Sequence, residues 1–118
     1  MDLKPRAAQL RQALATAELA TDNPAMAPVA LANLKAATLA ENDDPFTWYQ
    51  AARAYGLMKN QPMADLATAE AYYNGGEMMQ ALVFATRAQR ALPQGSPDWE
   101  KAGDIIGAAG PLAKQQRR

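Results

Sequence analysis

The sequence predicts an all-α chain, an α-solenoid-like array of about six antiparallel helices arranged in hairpins, with a C-terminal capping helix. Three observations carry that prediction. Small residues and single large aromatics recur at helical spacing, as in Trp48, Ala51, Ala52, Tyr55, Ala64 and Ala71. Proline or glycine beside Asn, Asp, Gln or Ser punctuates the chain at each expected helix boundary. No strand-like alternation of useful length occurs, and the connections are short enough to leave successive helices antiparallel.

The first helix is expected from about Lys4 to Ala20, ending where Thr21, Asp22 and Asn23 compete for backbone hydrogen bonds. Asn23-Pro24 opens the second, whose apolar set is Val29, Leu31, Leu34 and Leu39; because Pro28 lies near its opening turn, the start can slip to Ala27. Asp44-Pro45 opens the third, as an N-cap followed by proline at the first helical position, and it runs to about Met58-Lys59-Asn60. That reading also accounts for the Asp43-Asp44 carboxylate pair without chemistry. Gln61-Pro62 starts the fourth helix, which stops at Asn74-Gly75-Gly76, where glycine takes the left-handed conformation. The string from Tyr72 to Gly76 lacks the preceding strand and the lysine of a phosphate loop, so it reads as a helix C-cap. The fifth helix spans Glu77 to Leu92, and Pro93 and Gly95 stop it. Ser96-Pro97 opens the sixth, which places Trp99, Ile105 and Ile106 on a covering face and ends at Gly110-Pro111. Residues 1–110 then form one repeat domain and residues 111–118 a flexible basic tail.

The recurrence has a period of about 34 residues, the spacing of a tetratricopeptide (TPR) repeat. Trp48, Tyr55, Ala64 and Ala71 fit that pattern, in which alanines let two helices approach and an aromatic fills the wide end of the pair. Backward, the period reaches Leu14, Ala17, Thr21, Ala30, Leu34 and Ala37; forward, it reaches Leu82, Ala85 and Gln89, then Ala102 and Ile105. A second register fits as well, through Tyr72, Gly76, Ala81, Ala85, Ala88 and Pro93. Both stay open, because in a continuous array each helix packs on its predecessor and its successor.

Composition narrows the chemistry. The 118 residues hold twelve acidic and twelve basic side chains, so the net charge is zero and nucleic-acid binding is not expected. No uncharged apolar run approaches the roughly 20 residues of a membrane span, so no membrane insertion is expected. With no His and no Cys, a His/Cys zinc site, a Ser-His-Asp triad and a thiol nucleophile are excluded. The chain is therefore read as a non-enzyme with no cofactor and no metal. Met58, Met63, Met78 and Met79 read as gap-filling core.

The strings Asp44-Pro45-Phe46-Thr47-Trp48-Tyr49-Gln50, Ala54-Tyr55-Gly56, Met63 to Glu70, and Gly95-Ser96-Pro97-Asp98-Trp99 resemble the C-terminal TPR segment of bacterial periplasmic zinc metallopeptidases, the group that includes the beta-barrel assembly-enhancing protease. The pattern departs from the usual repeat at Asn42, Thr68 and Ala85. The resemblance implies a repeat region that packs on a protease domain, limits access to its cleft and holds envelope proteins. No catalytic residue transfers, since zinc in that group sits on an H-E-x-x-H helix and this chain has no His. It also implies a periplasmic location. The first residues carry no apolar signal core, which leaves a cytoplasmic location as the alternative, or a piece cut from a longer precursor. A free-standing TPR adaptor or oligomerisation module, including a homo-oligomer, is the competing expectation.

The register anchored on Trp48 places the partner-binding groove on the first, third and fifth helices. Its candidate residues are Tyr49, Arg53, Gln80, Arg87 and Arg90, with Gln12, Phe46 and Val83 beside them. The arginines would receive carbonyls or a carboxylate of an extended peptide, and Tyr49 would give a flat apolar contact. In the other register the second, fourth and sixth helices line the groove, and Glu70, Tyr73 and Asn74 replace them.

Overall fold

Local sequence chemistry sets the helix starts in the computed structural model, which describes residues 4–40 and 44–116. Asn42, Asp43 and the Arg117-Arg118 end of the expected basic tail lie outside the described residues. The helices are α1 (Lys4–Leu19), α2 (Ala27–Ala40), α3 (Pro45–Leu57), α4 (Gln61–Asn74), α5 (Met78–Ala91) and α6 (Pro97–Gln116), with a 3₁₀ turn at Pro24–Met26 ahead of α2. Among the described residues there is no strand.

Four of the starts are side-chain caps, one of them Ser96, whose Oγ accepts from the Trp99 N–H at 3.2 Å at the start of α6. The Asn23 side-chain oxygen accepts from the Ala25 N–H at 3.0 Å and caps the 3₁₀ turn, which the Met26 N–H closes on the Asn23 carbonyl at 2.9 Å; α2 follows from Ala27. Asp44 accepts from Phe46 at 3.0 Å, with Pro45 next in line. Asn60, which the sequence reading passed over in favour of Gln61-Pro62, accepts from Met63 at 3.3 Å. These bonds satisfy amides that a helix start leaves without an intrahelical partner. At the end of α4, Gly76 takes a φ of 81° and the Glu77 N–H reaches back to the Tyr72 carbonyl at 2.8 Å. Lys59 adopts the same left-handed conformation, φ 59°, after α3.

The sixth helix corrects one expectation. It continues through Pro111 to Gln116, so the segment after Gly110 is helix and not a loose tail over the described residues. Proline within a helix removes one backbone bond and costs about 3 kcal/mol. Tertiary contacts offset that cost: Ala109 and Ala113 are buried. The Gln116 side chain accepts from the Met78 N–H at 3.2 Å and donates to the Gly76 carbonyl at 2.8 Å. It thus caps α5, whose own N-cap residue, Glu77, makes no side-chain bond.

Each helix packs on the next, and α4 is shared by two apolar cores. One core joins Ala15 and Leu19 of α1, Ala30 and Leu34 of α2, Ala54 and Tyr55 of α3, and Ala64 and Ala67 of α4, with Trp48 packed against it. The other joins Leu66 and Ala69 of α4 to Ala81, Ala85 and Ala88 of α5 and to Ala102, Ile105 and Ala109 of α6. Alanines at the contacts let helix axes come close, and their burial is complete at Ala81, Ala85 and Ala88.

The 34-residue spacing holds in the buried sets of α3 and α5, since Ala81, Ala85 and Ala88 follow Thr47, Ala51 and Ala54 at that interval. It slips in α1. Leu14 and Ala17 lie on the surface while Ala15 and Leu19 are buried, and the first connection carries an extra 3₁₀ turn. Val29 and Leu39, expected in the α2 apolar set, are also exposed, and Leu39 is 90% accessible. The α1–α2 contact is partly polar: Arg11 donates to the buried Asn33 at 3.0 Å, and Asn33 donates to Glu18 at 2.9 Å.

Candidate functional site

The helix α2 stands away from α4, and the space between them is a groove of about 620 Å³. Leu31, Leu34, Lys35, Thr38 and Leu39 of α2 form one wall. Met63, Leu66, Ala67 and Glu70 of α4 form the other, at the i, i+3, i+4, i+7 spacing that one helix face requires. Trp48, Ala51 and Tyr55 of α3 lie at its base, and Asp98 and Lys101 of α6 reach its rim. A smaller adjoining cleft of about 320 Å³ is shared by Thr38, Trp48, Glu70, Asn74 and Lys101. The lining is mainly hydrophobic with a few converging polar groups, the usual character of a binding cleft.

Two titratable groups in the groove are perturbed. Burial raises the Glu70 carboxyl above its ordinary value of 4.5, and nearby Lys101 acts in the opposite sense. Burial also raises the Tyr55 hydroxyl above its ordinary 10.0, reinforced by the negative charge of Asp98. The Glu70 carboxyl makes no hydrogen bond and no ion pair with any described residue; its backbone carbonyl accepts from Asn74.

The residues expected on the α1, α3 and α5 side lie elsewhere, and none of the five arginine, tyrosine and glutamine candidates lines this groove. Arg53 is paired with Asp22 in the first connection. Arg87 sits 3.7 Å from the buried Asp65 and 5.0 Å from the centre of the Phe84 ring. Tyr49 packs edge-on against Tyr72 at 5.8 Å, and Tyr72 stacks on Phe84 at 5.6 Å. Gln80 and Arg90 are exposed on α5. Gln12 donates to Asp44 at 3.1 Å and to Thr47 at 2.7 Å, which ties α1 to the start of α3. Tyr49, Arg87, Arg53 and Gln12 are thus engaged within the chain, and Phe46 and Val83 are left as isolated exposed apolar side chains beside them.

Of the alternative set, Glu70 lines both clefts and Asn74 the smaller one, whereas Tyr73 packs against the second core. The repeat residues Trp48, Tyr55, Ala64, Ala71, Ala81 and Ala88 are buried or partly buried, and Pro93 is exposed in the turn between α5 and α6. Lys35 and Lys101, which the sequence did not bring together, are exposed beside the groove. Both look like ordinary solvated lysines until α2 and α6 are placed on either side of α4. Among the described residues no group of three acidic side chains is placed to hold a metal ion, and no helix is long and apolar enough to cross a membrane.

Comparisons with protein-family models, with curated proteins and with solved structures found no match for this chain.

Proposed function

We propose that this chain is a protein-interaction module, a TPR-like array that binds an apolar segment of a partner protein in the groove between α2 and α4. The groove itself carries the reading: Leu39, Trp48 and Met63 leave apolar surface there, backed by the buried core residues Leu34, Tyr55 and Ala67. A mainly apolar cleft with a few polar groups has the character of a binding site. Selection of displayed peptides against the full chain, followed by titration of the recovered sequences against two surface variants, tests it. Leu39→Asp places a charge on the groove, and Val83→Asp places one on the α5 surface, where Val83 is exposed. Loss of binding in Leu39→Asp alone supports the groove. Loss in Val83→Asp alone moves the site to the α3–α5 side.

The narrower reading is the repeat region of a periplasmic zinc metallopeptidase, holding substrate or partner proteins beside a catalytic domain. The Asp44-to-Gln50 and Gly95-to-Trp99 strings support it. An immunoblot of fractionated native cells tests it: a band several times larger than 12.7 kDa in the envelope fraction is expected. A cytoplasmic band of the chain's own mass would favour a free-standing adaptor.

A further inference from the structure

We infer that a second copy of this chain covers the outer face of α1 and α2, with the two α1 helices pairing antiparallel about a twofold axis. This face is separate from the groove, so the inference stands apart from the reading above.

The face is built at helical spacing. On α1, Ala7, Leu10, Leu14 and Ala17 follow one another at intervals of three, four and three positions, and all are exposed. Leu10 is 61% and Leu14 54% accessible. Such intervals keep the four on one side of the helix. Ala15 and Leu19, which enter the first core, and Gln12, which reaches α3, lie on the other. On α2, Val29 and Ala32 are exposed and Ala36 half-buried at the same kind of spacing. The two stripes lie side by side: Arg11 and Glu18, each one turn from Leu14, both bond to Asn33, itself one turn from Val29 and Ala36. All seven side chains are aliphatic, without charge or hydrogen-bonding groups. The other end of the array is finished differently, since α6 leaves Glu100, Asp104 and Lys114 exposed. A polar outer face is what an uncovered end of a helical array requires, and α1 with α2 do not provide one.

Three properties select a second copy as the occupant. The α1 stripe is palindromic, because Ala, Leu, Leu, Ala at intervals of three, four and three reads the same in both directions. Antiparallel pairing centred on position 12 therefore sets Leu10 against Leu14 of the second copy and Ala7 against Ala17, the self-complementarity that a twofold interface demands. The extent also suffices. Helices of 16 and 14 residues lying side by side cover roughly 24 by 20 Å, so two copies bury about 1,000 Å² in total, the lower end of specific interfaces. Finally, the net charge of zero sets up no long-range repulsion between copies.

The experiment is sedimentation velocity of the full chain across a concentration series, up to about 1 mM. The mass is expected to rise from 12.7 kDa toward twice that value. Leu10→Glu and Leu14→Lys, each at an exposed position, are expected to weaken self-association at least about tenfold, because each buries an unpaired charge. Val83→Asp, on the α5 surface, is expected to leave it unchanged. Mixing the Leu10→Glu and Leu14→Lys chains restores the dimer, since antiparallel pairing brings the introduced carboxylate and ammonium together. A monomer at every concentration overturns the inference whatever the variants do. A dimer that survives both α1 substitutions, or is lost in Val83→Asp, places the contact elsewhere and overturns it too. A mixture that associates no better than its components, with both variants retaining the wild-type helical circular dichroism, overturns the antiparallel register. Peptide binding in the groove is read separately and is decided by none of these outcomes.

Discussion

The two sides of α4 are built from the same ingredients and do opposite things. Toward α3 and α5, an acid and aromatics are fully engaged: Asp65 accepts from Gln61 at 2.9 Å and faces Arg87, while Tyr72 bridges Tyr49 and Phe84. Toward α2, Glu70 and Trp48 border an open groove, and the Glu70 carboxyl makes no hydrogen bond and no ion pair with any described residue. The difference is distance between helices. Where a third helix comes within reach, polar and aromatic side chains become internal glue; where it stands off, Glu70 keeps a partly exposed carboxyl on the groove wall.

The largest expected effect lies on the closed side. Tyr72→Ala removes the ring that links three helices and should cost about 3 kcal/mol, read as a drop in the urea midpoint. A loss below about 1 kcal/mol would show that the aromatics merely rest on a contact made by the alanines.

Arg87→Ala should cost less, about 1 kcal/mol, because the arginine is half exposed and Asp65 keeps its bond from Gln61. Denaturation at low and high salt checks it: the gap between wild type and variant should shrink as salt screens the pair. A salt-independent gap would assign the effect to stacking on Phe84.

On the open side, the sign is reversed. The Glu70 carboxyl is raised above 4.5 in the folded chain, so between the unfolded and folded values the folded state binds more protons, and stability falls as pH rises through that window. Glu70→Gln should therefore raise Tm at neutral pH and leave it unchanged below the ordinary carboxyl value. A lower Tm at neutral pH would mean that the Glu70 charge supports the fold, and would set this side of α4 level with the other.

The smallest effect belongs to Leu39→Ser. At 90% exposure its side chain has little to lose, and the folding free energy should stay within about 0.5 kcal/mol. A larger loss would mean that the α2 wall leans on that leucine.

Helix number and most helix boundaries were legible because their causes are local. Asn23, Asp44 and the Gly76 stop act within a few residues of themselves. The end of α6 was not legible, since Pro111 and Gly110 read locally as a stop, while the burial of Ala109 and Ala113 and the bonds from Gln116 to Gly76 and Met78, some forty positions away, support the helix beyond it. The groove was half legible. Glu70 and Asn74 belonged to one of two registers that the spacing could not separate, and Arg53 and Arg87 looked like ligand-binding residues because their partners, Asp22 and Asp65, are unremarkable until the chain is folded.

By itself the sequence determined an all-helical chain of six segments, joined by short connections and packed through alanines, and it excluded His- and Cys-based chemistry. Those properties follow from backbone capping, side-chain size and composition, which need no knowledge of neighbours. Only the tertiary structure decided which face of α4 is closed and which is open. That choice depends on how far α2 stands from α4, a distance set by all the packing contacts together and written in no single motif.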